Sequence, residues 1–293
     1  MPWTGGASAV LAASGVGITA YLIRKGSKKA LWLPLFYFTL MEALQAVTYL
    51  YINQCISPIN KGLTFLAYIH IAFQPFFINM LAMNFIPEEV KNKIARYVYG
   101  ACWIGAGFYM LKAYPFSNTY SCIVGQEAFC GHWACAFKGH WHLAWQWPLN
   151  TLGSSSPWID VPPKEYITGV EARSYLFKGN WEYLWQWLRD ALGTQPLLIL
   201  TPHKYLLGLH TQTYIFCGFI LPILYGSWRI ILVTFLCGFL MASFSTDNIN
   251  EFSAIWGLYF WGICFAIALL PARKYLYVKN WVFNKPILRF VKN

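Results

Sequence analysis

The feature that most constrains this chain is a series of apolar stretches, each about as long as a bilayer is thick. A hydrocarbon layer some 30 Å deep takes about 20 residues of helix to cross. Seven stretches reach that length, at roughly 5–23, 31–53, 62–86, 94–113, 205–226, 228–246 and 251–271. Helices are the expected spanning form, because hydrocarbon offers no water to satisfy free backbone groups. Charge agrees with this reading. Only 11% of the 293 residues are charged and 57% are hydrophobic, against roughly 25% charged in soluble domains. The sequence therefore predicts an all-α, seven-transmembrane-helix bundle. Its net charge of +11 lies beside apolar spans, which is the pattern of membrane anchoring, and no nucleic-acid partner is expected.

The distribution of Lys and Arg orients the bundle. Arg24, Lys25, Lys28 and Lys29, then Lys91, Lys93 and Arg96, then Arg229, then six basic residues after Pro271 all fall on one side. The other side has little beyond Lys61 and Lys112. The basic side is expected to be cytosolic, with the amino terminus exoplasmic. The opening MPWTGG lacks the positive region of a signal peptide, so a retained first helix is expected. The resulting divisions are helices 1–4 over 1–113, an exoplasmic loop over 114–204, helices 5–7 over 205–271 and a basic interfacial tail over 272–293. The tail mixes its cations with Trp281, Phe283, Leu288 and Phe290, as suits an anionic leaflet.

The large loop contains a duplication. KGHWHLAWQWPLNTLG at 138–153 aligns with KGNWEYLWQWLRDALG at 178–193, with eight of sixteen positions identical at an offset of 40. In the second copy Trp181, Trp185, Leu188 and Leu192 share one helical face, giving an amphipathic helix suited to the headgroup layer. Pro148 breaks the pattern in the first copy, where a shorter helix or a turn is expected.

The eight cysteines divide by place. Cys102, Cys217, Cys237 and Cys264 fall within spans as packing residues. Cys55, Cys122, Cys130 and Cys135 share the exoplasmic face, where two disulfides are expected. A divalent metal is the competing reading, since Cys130-Gly-His132 and His140-Trp-His142 crowd soft ligands together.

Ionisable groups inside a bilayer are costly, and by default they mark functional sites. Glu42 falls mid-span, with Gln45 and Tyr49 on its face at i+3 and i+7. His70 falls mid-span in the next helix, followed by Gln74 and Asn79, and Pro75 frees a carbonyl there. His210 and Tyr214 lie towards the outer end of span five, and Asp247 and Glu251 flank the turn before span seven. The expected catalytic set is Glu42, His70, His210 and Asp247. Gln45, Gln74, Asn79, Tyr214 and Glu251 are expected to hold the substrate. Carboxylate and imidazole together suit proton transfer, metal ligation or a transport relay. Interhelical hydrogen bonding is the bland alternative.

At HIAFQPFFIN (70–79), YGSWR (225–229) and TDNINEFSAIW (246–256) the chain resembles an uncharacterised family of seven-helix membrane proteins. The resemblance implies the fold and carries no activity. Ceramidase- and adiponectin-receptor-type hydrolases share the topology, but the HxxxH of their three-histidine zinc site is missing. SWEET-type sugar transporters also share it, but their Pro-Gln motif is replaced by Gln74-Pro75. No Lys in span seven, phosphate-binding glycine loop, HExxH or GxSxG is present. The favoured function is a membrane-embedded enzyme acting on a lipid or apolar small molecule. A small-solute transporter and a ligand-binding receptor are the alternatives.

Overall fold

The computed structural model describes residues 3–114, 128–150, 213–246 and 248–279. The second WQW copy, His210, Asp247, Cys122 and most of the basic tail lie outside the described residues. The fold is mostly helical. Helices α1 (Gly5–Arg24), α2 (Lys29–Thr48), α3 (Pro58–Ala82) and α4 (Glu88–Lys112) come first. They are followed by α5 (Thr213–Leu224), α6 (Trp228–Ser245) and α7 (Ile249–Leu269). Single 3-10 turns extend α2 over Tyr49–Tyr51 and α3 over Met83–Phe85. Counted with those turns, α1, α2, α3, α6 and α7 are long and apolar enough to cross a membrane, so the chain is an integral membrane protein. The 25-residue α4 begins with two glutamates and several cations, and the described part of α5 is short.

Small residues set the α1–α2 crossing. A Cβ on Gly15 would lie 2.2 Å from Thr39 Oγ1, and one on Gly5 would lie 2.7 Å from Tyr49 Cβ. The two backbones therefore approach closely along antiparallel paths. Trp261 of α7 donates its indole N–H to Thr39 Oγ1 at 3.1 Å, joining a third helix to the crossing.

Prolines and π-turns release backbone acceptors that asparagines then take. Pro34 has no N–H to offer the Ala30 carbonyl, which accepts from Asn84 Nδ2 at 2.9 Å. In α5 the segment Phe216–Ile220 is π-helical, and the Leu221 N–H reaches back to the Phe216 carbonyl. Pro222 has no N–H to continue that pattern, and the Cys217 carbonyl accepts from Asn79 Nδ2 at 2.7 Å. The Asn79 Oδ1 accepts from the Tyr225 hydroxyl at 2.9 Å, so one amide joins α3 to the middle of α5 and to the residue that follows it.

The first WQW copy is a β-hairpin and not the shorter helix or turn the sequence suggested, and this corrects a strictly all-α expectation. Cys135–Lys138 (β1) and Leu143–Gln146 (β2) pair antiparallel, with Cys135 opposite Gln146 and Lys138 opposite Leu143. A two-stranded hairpin is marginal on its own, and side chains from the helices stabilise this one. Asn60 of α3 exchanges hydrogen bonds with the Ala136 backbone as a strand neighbour would, at 2.9 and 2.8 Å. Asn53 accepts from Lys138 N–H at 2.9 Å. Cys55 is disulfide-bonded to Cys135, and Cys130 is disulfide-bonded as well. Asn150 Nδ2 takes the Leu111 and Tyr114 carbonyls at the end of α4.

The strongest tie comes from Glu251 in the first turn of α7. Its Oε2 accepts from His140 N–H at 3.0 Å and from the Thr246 hydroxyl at 2.8 Å. Its Oε1 accepts from Trp141 N–H at 2.6 Å and from His142 N–H. Gly139 is required there, since a Cβ would lie 2.7 Å from the Glu251 carboxyl carbon. The Trp3 N–H bonds to the Trp141 carbonyl at 2.7 Å, bringing the start of α1 to the same end. At the far end the Val278 N–H bonds to the Phe85 carbonyl and Ser227 donates to the Ala82 carbonyl.

Hydrogen bonds to a charged acceptor are worth about 1.5–3 kcal/mol each, and a neutral amide cannot accept at both terminal atoms. Glu251→Gln is therefore expected to cost about 3 kcal/mol. In detergent the melting temperature should fall, and amide exchange at 140–142 should speed up while mid-helix α3 keeps its protection.

Candidate functional site

The structure gives His70, one of the two mid-span residues that the sequence put together, to Tyr37. His70 Nε2 bonds to the Tyr37 carbonyl at 2.8 Å, and the Tyr37 hydroxyl donates to the His70 carbonyl. The two rings stack 3.9 Å apart. His70 is thus joined to α2 by reciprocal backbone bonds, and no hydrogen bond or ion pair links it to Glu42 among the described residues.

Glu42 faces α1. Its carboxyl is fully buried and both oxygens are without a hydrogen-bond partner. The Ser8 hydroxyl lies beside that carboxyl, the one side-chain donor that acts on it, and is also 3.5 Å from Gln45 Oε1. Ser8 in turn accepts from Trp3 Nε1 at 2.9 Å. Gln45 Nε2 is buried and unpartnered. The ion pairs of the described residues lie at exposed Glu88 and Glu89, far along the chain from this cluster.

The same face of α2 leads on to the hairpin. The Tyr49 hydroxyl is 3.4 Å from His142 Nδ1 and lies within electrostatic reach of both Glu42 and Glu251. His142 Nδ1 accepts from the Leu143 N–H at 2.8 Å, so the neutral ring carries its proton on Nε2. That Nε2 is buried with no partner. Trp3 stacks on His142 at 5.5 Å. Glu42, Gln45, Ser8, Trp3, Tyr49 and His142 therefore form one contiguous polar network beneath the hairpin. An unpaired buried polar group costs about 1–3 kcal/mol. Four such atoms at Glu42, Gln45 and His142 are the largest uncompensated cost in this part of the molecule.

The other expected site residues behave differently. Gln74 Oε1 accepts from the Tyr214 hydroxyl at 2.6 Å, and Tyr214 accepts from Trp256 Nε1 at 2.7 Å, a relay joining α3, α5 and α7. Asn79 is committed to α5. Glu251 is filled by three amides and a hydroxyl. His210 and Asp247 lie outside the described residues. Among the described residues no three His, Cys, Asp or Glu side chains converge as metal ligands would.

His142 and Ser8 carry no site signal in the sequence as read. His142 drew notice only as a soft ligand near Cys130, and Ser8 sat among the small residues of the first span. The available clue was the apolar alternation of Trp141, Leu143, Trp145 and Trp147, which marks a strand and so places His142 on the opposite face from them.

This arrangement defines a class, a helical integral membrane protein with a buried acid and a buried imidazole on one polar network under a β-hairpin. The sequence model of the Family of unknown function (DUF5765) matches residues 6–178 and 161–277, and the chain belongs to that family. The resemblance seen at 70–79, 225–229 and 246–256 is borne out. No curated protein and no solved structure matches the chain.

Burial lowers the His142 imidazole from its ordinary value of 6.5 to about 3. In the unfolded chain the ring takes a proton as pH falls through about 6.5, while the folded ring stays neutral until about 3. Stability is therefore full above the unfolded value and declines across that window. The melting temperature in detergent should drop on acidification from pH 7 to pH 4. His142→Phe should show a shallower drop.

Proposed function

We propose that this protein is a membrane-embedded enzyme that performs acid/base chemistry on an amphiphilic substrate, with Glu42 as the proton-transferring group. The observation that carries this is the buried carboxyl of Glu42, unpartnered at both oxygens, on one polar network with the unpartnered Nε2 of His142. A structural role would leave these atoms bonded, as it does for Asn79 and Glu251. The Tyr49 hydroxyl meets His142 at Nδ1, and Gln45 Nε2 is a spare donor for a substrate oxygen. The neutral imidazole supplies a donor that does not compete with Glu42 for charge.

A transporter needs polar access from both sides. Beyond Glu42, towards the far end, the interior is filled by Leu35, Phe38, Ile78, Leu81, Phe260 and Ile267. That apolar plug favours a site open at one end.

The reading includes seven crossings with the amino terminus and hairpin exoplasmic. The hairpin end gathers the start of α1, the end of α2, the start of α3, the end of α4 and the α6–α7 turn, as alternating crossings require. Lys28, Lys91 and Arg229 belong to the opposite end, which favours the cytosol for that side. A cysteine placed at position 27 should be labelled from the cytosol and one at 155 from outside. Labelling of both from one side would remove the seven-span reading.

The chemistry is tested in liposomes made from a total membrane lipid extract, with mass spectrometry of the lipids before and after incubation. The wild-type protein should convert at least one lipid species. Glu42→Gln should slow that conversion about a hundredfold or more while the melting temperature stays near wild type. An unchanged lipid profile with wild type, or equal turnover by Glu42→Gln, would refute the proposal.

A further inference from the structure

The polar network has a neighbour on its lipid side. A groove of about 710 Å³ runs between the start of α1 and the end of α2, reaching up to the hairpin. It is lined by Trp3, Ala9, Val47, Tyr49, Leu50 and Lys138 among others. Val47 is 44% and Leu50 72% exposed, so in a bilayer the groove opens sideways into lipid and not into water. Two of its lining residues belong to the buried network as well. Trp3 donates to Ser8 and stacks on His142, and the Tyr49 hydroxyl meets His142 Nδ1. The groove and the Glu42 cluster thus share a wall of two aromatic side chains.

We infer that this groove binds a single-chain fatty-acid anion drawn laterally from the bilayer. The inference names the substrate class of the enzyme reading and rests on that reading for its chemistry, though not for its binding. Three observations select the occupant. The volume falls within the roughly 300–1,000 Å³ of small-molecule sites, which suits one hydrocarbon chain and is tight for a diacyl lipid. The walls are apolar along the helices, so the chain lies against Ala9, Val47 and Leu50. The one charge lining the groove among the described residues is Lys138, which is exposed at the hairpin end and joins no ion pair there. Glu251, the acid that meets the hairpin tip, is turned into the amides of 140–142. An anionic head therefore meets Lys138 with no opposing carboxylate, and the atoms next to the head pass Tyr49 on the side facing His142 and Glu42.

The test uses the full-length protein in phosphatidylcholine nanodiscs with a diazirine-bearing fatty acid as probe and the matching fatty alcohol as control. After photolysis, cross-linked peptides are mapped by mass spectrometry. Labelling should concentrate on 3–9 and 46–52, and excess oleate should compete it away. Lys138→Ala should cut labelling by the acid about fivefold or more and leave labelling by the alcohol unchanged. Ala9→Trp, at an exposed position where folding is not at stake, should abolish both. Labelling spread evenly over the lipid-facing helices, or unaltered by Ala9→Trp, would mean annular lipid only and overturns the site. Equal labelling by acid and alcohol in wild type overturns the anion. Glu42→Gln should label as wild type does. Specific labelling with unimpaired turnover in Glu42→Gln would sink the catalytic reading alone, and lost turnover without specific labelling would sink the groove alone.

Discussion

The carboxylate of Glu251 is the interaction on which the hairpin end of this molecule depends. One side chain at the start of α7 satisfies three consecutive amides at the tip of the hairpin, together with the Thr246 hydroxyl. Consecutive amides that converge on an anion form a backbone nest, and a nest left empty would set three unpaired donors near the membrane surface. Because the hairpin is seated this way, His142 and Trp141 are fixed over the ends of α1 and α2. The amino-terminal Trp3 can then bond to the Trp141 carbonyl and cover the imidazole.

A second constraint recurs through the bundle. At two breaks of the helical ladder a side-chain amide supplies the missing donor, as Asn84 does for Ala30 and Asn79 for Cys217. In lipid an orphan carbonyl has no water to turn to. These asparagines therefore specify the places where helices meet as well as stabilising them. The same physics makes the unpartnered carboxyl of Glu42 informative. Gln74 Nε2, His70 Nδ1, Asn250 Oδ1, Thr19 Oγ1 and Trp145 Nε1 are also unpartnered. Each of those side chains contributes one such atom, whereas Glu42 contributes both oxygens of an acid.

The apolar stretches made the helical bundle legible from composition alone, because hydrocarbon thickness sets a length that few other structures need. Glu42, Gln45 and Tyr49 were legible as one helical face, and the structure keeps them so. The partner of Glu42 was not legible. Depth along a span places Glu42 and His70 at one level, but it says nothing about rotation, and α2 turns its Tyr37 towards His70 and its Glu42 towards α1. The hairpin was hidden for a different reason. The residues 138–153 resemble a sequence that reads as an amphipathic helix, and strand pairing there is imposed by Asn60, the Cys55–Cys135 bridge and Glu251, all distant in sequence. Local pattern cannot report long-range clamps of this kind. Glu251 itself reads as a solvated turn residue until the hairpin is seen to close over it.

The position of the acid and imidazole at one end of the bundle has a consequence for how any substrate reaches them. From the extramembrane side the route is closed by the hairpin, whose Leu143, Ala144 and Trp145 are fully buried against the helices. From the far side it is closed by the apolar core. The remaining direction is lateral, where small residues at 5, 6 and 9 keep α1 thin and where Trp3 and Tyr49 form the partition. Both partition residues are also members of the polar network, through Ser8 and through His142. A ligand that displaces either ring must therefore release a hydrogen bond to Ser8 or to the imidazole, leaving another polar atom beside Glu42 in need of a partner. Opening the partition and polarising the site are in this sense one event, carried by the same two side chains.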